Sequence, residues 1–234
     1  MENKHIELLE RWYKERPEYD TENANAEFCW DGPSNWNKWL KQKPKILFLA
    51  KEPHSGYQPC IDNKEISGVF NLNIARWKFA IKKICENSNE TLSMPTDEGL
   101  RSWTENKNDD ISIVEVKKKN ADLKRSSNTD IMEYAKKDKD FLKEQIDLIN
   151  PDIVLCCYTV ESYDIIYGNE YTDDNIEKLV SIEKVACWKH NNRLVIDFYH
   201  PSYWQYPQGV EGLFNLLCEL LKNDLVLKRF DWNK

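Results

Sequence analysis

Several protein classes are excluded by what the chain does not contain. Seven cysteines occur in 234 residues, an odd number, and no two form a CxxC pair. Cys156 and Cys157 sit side by side inside an apolar run. This usage speaks against a zinc or iron–sulfur framework and for free thiols in a reducing cytoplasm. The four histidines make no HxxxH pair, so the sequence carries no helical two-histidine metal motif. No apolar run approaches the ~18 residues of a membrane-spanning helix. The start, MENKHIELLERWYKERPEYD, is highly charged and has no signal-peptide apolar stretch. A soluble, cytoplasmic protein is expected, with no membrane partner, no metal and no cofactor. Excess positive charge is missing too. The formal net charge is -7, so bulk electrostatics do not draw the chain to DNA, RNA or an anionic membrane. Any nucleic-acid contact must come from a local basic patch.

Hydrophobic residues make up 41% and charged residues 31%, an ordinary balance for a chain that buries a core. The length allows one large domain or two small ones. Nine Trp and eleven Tyr are many, and most belong to a core because large rings carry much of its buried area.

The chain alternates between two periodicities. Residues 3–15 form an amphipathic helix with Ile6, Leu9 and Trp12 on one stripe, ended by Pro17. A turn follows at Cys29-Trp30-Asp31-Gly32-Pro33, and Trp36, Trp39 and Leu40 suggest a short helix. Ile46 to Leu49 read as a buried strand. A helix over about 73–86 carries Ile74, Trp77, Ile81 and Ile84, and 87–110 read as a long polar connection. Ile111 to Val116 alternate as a second strand. Ser127, Asn128 and Thr129 offer N-cap chemistry for one helix running to about Ile149. Asn150-Pro151 breaks it, and Ile153 to Tyr158 form a fully apolar strand suited to a sheet centre. A short helix covers about Val160 to Tyr167, and the acidic segment 168–180 is expected to be exposed. Strands are predicted at Val185–Lys189 and Leu194–Phe198, then a helix over about 209–222. This order predicts a three-layer α/β/α protein with a mostly parallel, about four-stranded sheet. Residues 1–43 form an N-terminal helical extension packed on the core, and 44–234 form the α/β domain. A monomer is expected.

Two strands run straight into similar loops. Ile46–Leu49 lead to Ala50-Lys51-Glu52-Pro53-His54-Ser55, and Leu194–Phe198 lead to Tyr199-His200-Pro201-Ser202-Tyr203-Trp204. In open α/β sheets, ligands bind outside the carboxyl ends of the strands. The two strands are therefore expected to be parallel neighbours, with Glu52 and His200 facing one cleft.

These residues resemble the uracil-DNA glycosylase superfamily. Its first motif is commonly written GQDPYH and its second HPSPLS. Here the first stands as Ala50 to Ser55 and the second as His200 to Trp204. The stretch Lys143 to Leu155 resembles the family's helix-to-strand passage. The likeness covers roughly Lys45 to the last helix. It implies hydrolysis of the N-glycosidic bond of a damaged or modified DNA base. Glu52 stands where the family has its catalytic Asp, His54 where a Tyr excludes a thymine methyl, and Glu115 where an Asn reads the base. Phe70 takes the place of the base-stacking Phe. The iron–sulfur cysteines of some branches are absent.

Breaking that bond develops positive charge on the sugar and negative charge on the departing base. Glu52 could stabilise the sugar cation, and His200 could donate to a base carbonyl oxygen. Ser202 would hold a phosphate, Tyr203 or Trp204 would enter the base stack, and Lys117, Lys118 and Lys119 would contact the DNA backbone. An ionised Glu115 can only accept hydrogen bonds, so it would suit an exocyclic amino group, unless it simply pairs with Lys117. Two other classes remain open: a catalytically silent nucleic-acid or nucleotide binder on the same fold, and a metal-dependent phosphoesterase using Glu52, His54 and His200.

Overall fold

The computed structural model describes residues 1–16, 28–53, 68–106, 110–119, 126–168 and 176–229. In chain order its elements are α1 (Glu2–Glu15), β1 (Gly32–Pro33), α2 (Trp36–Lys41), β2 (Ile46–Ala50), α3 (Gly68–Glu86) and α4 (Asp97–Asn106). Next come β3 (Ser112–Glu115), α5 (Asn128–Lys137), α6 (Lys139–Ile149), β4 (Ile153–Cys157) and α7 (Val160–Tyr167). The chain continues with β5 (Ile176–Ile182), β6 (Val185–His190), β7 (Arg193–Phe198), α8 (Gly209–Leu221) and α9 (Asp224–Arg229).

The fold is α/β. All five residues of β2 are buried, so the strand must be covered on both faces. Its alternation delivers Ile46, Phe48 and Ala50 to one core, with Ile74, Trp77 and Ile81 of α3 and Leu213, Phe214 and Leu217 of α8. Leu47 and Leu49 enter the other core, with Trp12, Trp39, Leu142, Ile146 and Tyr163. The sheet has seven strands in the order β1-β3-β2-β4-β7-β6-β5. Strands β3, β2, β4 and β7 are parallel. Antiparallel β6 and β5 extend one edge, and the two residues of β1 extend the other.

The sheet is larger than the expected four strands: among the described residues it has seven, of which four are parallel. β5 begins inside the segment taken as exposed and acidic, and its Leu179 is buried against the first core. The consecutive exposed Glu177 and Lys178, beside a register shift between Lys178 and Val180, break the alternation that would have marked the strand. The long polar connection contains α4, which packs on the core through Leu100 and Trp103 and is tied to α3 by the Arg76–Asp97 ion pair. The predicted single helix to Ile149 breaks at Asp138, which caps α5 and α6 at φ -106° and ψ 18°. The buried Asp138 carboxylate accepts from Arg16 Nε at 2.6 Å, tying α1 to this break. Most significantly, β2 and β7 are parallel but not neighbours, because β4 lies between them. The chain leaves β2 through α3 on one face and enters β4 from α6 on the other. The β2/β4 boundary is thus where the winding reverses, the place where such sheets open a crevice.

A buried polar knot joins α1, β1 and α6 to β3. Lys118 Nζ donates to both Asp31 oxygens, at 2.6 and 2.5 Å, and both side chains are fully buried. The Lys118 ammonium also lies 5.0 Å from the Trp12 ring centroid. Gln145 Nε2 donates to Asp31 Oδ1 at 2.7 Å and lies 3.1 Å from His5 Nε2. The His5 ring passes so close to Gly32 that a Cβ there would lie 2.6 Å from His5 Cε1, and Gly32 has φ +124°. Only glycine meets both demands.

A buried ion pair contributes most when it is broken, because the survivor is left charged and unpaired. Lys118→Met should therefore lower unfolding stability by about 3–5 kcal/mol. The double variant Asp31→Asn/Lys118→Met should recover part of that loss. Urea midpoints of the three proteins measure this, and an unchanged midpoint for Lys118→Met would show that the pair contributes nothing.

Candidate functional site

Strand register builds a row of side chains across the carboxyl edge of the parallel sheet. Ala50 of β2 pairs with Glu115 of β3. Leu49 pairs with Cys156, which sets Ala50 level with Cys157 of β4, and Cys157 pairs with Phe198 of β7. Ala50, Cys157 and Phe198 face the first core, and Glu115 follows Ile113 by two residues onto that same face. The row reads acid, small, small, aromatic. Three strand spacings separate its ends, about 14 Å, and the small residues Ala50 and Cys157 form the floor between.

At one end stands Glu115, only 2% exposed. Among the described residues its Oε2 has no hydrogen-bond partner. Burial pushes its pKa up to about 8, the Asp31 charge adds to that, Lys118 opposes it and Glu52 adds again. Lys118 does not rescue the ionised form because its ammonium is committed to Asp31. Burial and the Asp31 charge therefore favour the protonated acid, against the expected ionised, acceptor-only group. The expected pairing with Lys117 is not made, because that ammonium goes to Glu52 and Ser126.

At the other end the loop after β7 places His200. The Ser202 N–H donates to His200 Nδ1 at 3.2 Å, so the neutral ring carries its proton on Nε2. The Phe70 ring, from the first turn of α3, lies 5.7 Å from the imidazole, centroid to centroid. The same helix anchors the loop: the buried Asn73 Nδ2 donates to the Pro201 carbonyl at 2.5 Å, and Arg76 Nη1 donates to Asn73 Oδ1 at 2.7 Å. Tyr203 stacks on Tyr199 at 5.1 Å and 17°, while Trp204 is 70% exposed. Ser202 is half-buried.

Glu52 is differently placed. Its Oε1 accepts from the Ser126 N–H at 2.7 Å, and its Oε2 accepts from Lys117 Nζ at 2.8 Å and Ser126 Oγ at 2.6 Å. Burial raises its pKa, but the hydrogen bonds from Lys117 and Ser126 and the Lys117 charge outweigh it, so the carboxylate stays below its usual range and ionised. It turns towards β3 and the start of α5, whereas His200 turns towards α3.

The structure thus brings Phe70 and His200 together, sets Glu115 at the opposite end of the row, and does not pair Glu52 with His200. His54 lies outside the described residues. The lysine run is neither a DNA-facing patch nor a solvated face: Lys118 is 0% and Lys117 8% exposed. Both ammonium groups neutralise buried carboxylates, which a charge count along the chain does not reveal. Lys119 is half-buried and bridges Phe28 through the backbone. Among the described residues, no group of three or more His, Cys, Asp or Glu is placed to hold a metal. Their six cysteines are free and buried.

Sequence reasoning missed the other side of the same edge. A cavity of about 150 Å³ is lined by Asn128, Tyr158, Thr159, Glu161 and Asp197. Tyr158 follows β4 with φ +62° and is 54% exposed, a strained conformation for a bulky residue. Lys51 Nζ lies 4.5 Å from its ring centroid and bonds to Asn128 Oδ1. Burial pushes the Asp197 carboxyl up to about 6, with Asp164 and Glu161 adding to the effect. One signal was visible: Asp197 is the lone charge inside the apolar run Leu194–Phe198.

The chain matches no protein-family model and no curated protein. Its function has to be argued from this edge of the sheet.

The Glu115 shift has a stability consequence. Its folded-state pKa, about 8, lies above the ordinary 4.5, so the native state holds a proton that the unfolded chain releases between those values. The stabilisation linked to that proton is complete below 4.5 and is lost as pH rises through about 8. Glu115→Gln should flatten the fall in urea midpoint between pH 5 and 9 and leave the variant more stable than the parent at the alkaline end. Parallel midpoint curves for the two proteins would show that Glu115 does not hold the proton.

Proposed function

We propose that the carboxyl edge of the sheet, between Glu115, Phe70 and His200, takes a nucleobase, and that the chain hydrolyses the N-glycosidic bond of a damaged or modified base in DNA. The observation that carries this reading is the row itself. A buried acid with an unpartnered oxygen stands at one end, and a histidine with its donor nitrogen set beside an aromatic ring stands at the other, with two small residues between them. This is the pattern of a mostly apolar pocket with a few polar groups that fix orientation. The resemblance to uracil-DNA glycosylases supports the same assignment through His200-Pro201-Ser202.

In this reading Phe70 stacks on the base. His200 donates from Nε2 to a base carbonyl oxygen as negative charge gathers there, which lowers the barrier by favouring the departing anion. Glu52 contributes through space: a carboxylate held ionised at the carboxyl end of β2 favours positive charge on the sugar. Extruding a base from a duplex costs a few kcal/mol, and the exposed Trp204 is placed to fill the vacated stack. Ser202 and Lys119 remain as phosphate contacts. Lys117 and Lys118 do not, since their charges are internally neutralised.

One observation favours a second reading, a catalytically silent nucleic-acid or nucleotide binder. Glu52 already accepts three hydrogen bonds from Lys117 and Ser126. That occupies most of its acceptor capacity and leaves little to activate a water.

A panel of oligonucleotides, each with one modified base, separates the two when treated with alkali to reveal abasic sites. The glycosylase reading expects release from at least one substrate, with His200→Ala and Glu52→Gln each lowering it about a hundredfold or more. The binder reading expects no release, but a loss of affinity of about tenfold in Phe70→Ala, the scale of one base–aromatic stack. Neither release nor a Phe70-dependent affinity would retire both.

A further inference from the structure

The buried acid at the end of β3 has a chemical property that the rest of the cleft lacks. A carboxylic acid offers a carbonyl acceptor and an O–H donor side by side, whereas a carboxylate offers only acceptors. Glu115 has an oxygen without a partner, and its side chain is walled from water. The groups around it come from every neighbouring strand. Asp31, just before β1, takes a hydrogen bond from the Glu115 backbone N–H at 2.6 Å and repels a second negative charge. Glu52, beyond β2, repels it as well. Cys157 of β4 has its thiol held protonated by burial and by Glu115, so it adds no charge. Among the described residues Lys118 is the cation that opposes this, and it is spent on Asp31.

We propose that Glu115 reads a base edge as a neutral acid, accepting from a ring N–H and donating to the adjacent carbonyl, and that loss of its proton inverts the preference towards an exocyclic amino group. The inference rests on the base-binding reading and adds to it the edge that is read and its control by pH. With the proton in place, the unpartnered oxygen gains a partner when a base presents C=O beside N–H. Such an edge is presented by uracil or by an oxidised or deaminated base that has acquired a carbonyl. Without the proton, the same base brings its carbonyl lone pairs against a carboxylate, an unpaired contact in a buried site. An amino group then becomes the better fit, as it is where a carboxylate accepts from cytosine N4. Selectivity is therefore a function of pH, and the reader is a single side chain on β3.

The test is binding of oligonucleotides carrying one uracil, one cytosine or one abasic position, with a 2′-fluorinated sugar to block bond cleavage. Affinities are measured at pH 6 and pH 9 for the parent and for Glu115→Gln. The parent should favour uracil at pH 6 and lose at least tenfold of its uracil-to-cytosine ratio by pH 9. Glu115→Gln, whose amide always carries a donor and an acceptor, should hold one ratio at both pH values. A parent ratio that does not move with pH, while both bases bind better than the abasic position, overturns the proton-dependent reading and leaves base binding intact. No preference for either base over the abasic position at any pH overturns both. Should Glu115→Gln fail to fold, the parent's ratio across pH, set against infrared titration of a buried carboxylic C=O stretch, decides the question. A carboxyl band that is absent at pH 6 sinks the proposal.

Discussion

Much of this molecule depends on one buried carboxylate. Asp31 sits in the turn before β1, and its two oxygens collect the Lys118 ammonium, the Gln145 amide and the Glu115 backbone N–H. Those donors come from β3, α6 and the segment just after β3. His5 of α1 closes the knot through Gln145. The N-terminal helix, the short edge strand and the sheet thus share a single ionic contact, in a region where water cannot screen it. An isolated charge there would be prohibitive, so the pair has to be complete for any of its members to be buried.

The same carboxylate shapes the candidate site. Its negative charge lies close enough to Glu115 to oppose a second one, and it occupies the lysine that would otherwise neutralise Glu115. Two acids at the ends of neighbouring strands, Glu52 after β2 and Glu115 on β3, are thereby driven in opposite directions. Glu52 is kept charged by Lys117 and Ser126, and Glu115 is kept neutral by burial and by Asp31. Carboxyl groups pushed apart in this way are the usual means by which one site supplies both an anion and a donor. Here the division of labour follows from which lysine of a consecutive pair turns to which acid.

The histidine end of the row is organised differently, by backbone and packing rather than by charge. Asn73 holds the Pro201 carbonyl from inside α3, and Arg76 fixes the Asn73 amide in turn. The loop therefore stands on a helix whose apolar face is buried in the first core, and Phe70 reaches the imidazole from that helix's first turn. A site held by rigid elements in this manner keeps its geometry better than one built on free loops.

The alternation of strand and helix patterns along the chain was enough to establish an α/β protein. Ile46–Leu49 and Ile153–Cys157 are apolar runs that admit only burial on both faces, and Leu194–Phe198 departs from such a run only at Asp197. The helices α1 and α8 were also readable from their apolar stripes, although Ile6, read as part of the first stripe, is exposed and His5 and Leu8 are buried in its place. His200 and Phe70 could be singled out from motif and spacing. Their proximity could not, because it depends on Asn73 gripping the loop across 128 residues of chain. Strand adjacency was beyond the sequence as well: two similar strand-to-loop junctions do not reveal that β4 lies between them. Weakly patterned elements such as α4 and β5 escaped because a few contacts with the core hold them. The largest gap concerned charge. Glu115, Lys117 and Lys118 are ordinary ionisable residues in a sequence, and a run of lysines there reads as a surface. Whether each is charged, and what it faces, depends on burial and on the partner within a few ångströms, and those are set only when distant segments close around them.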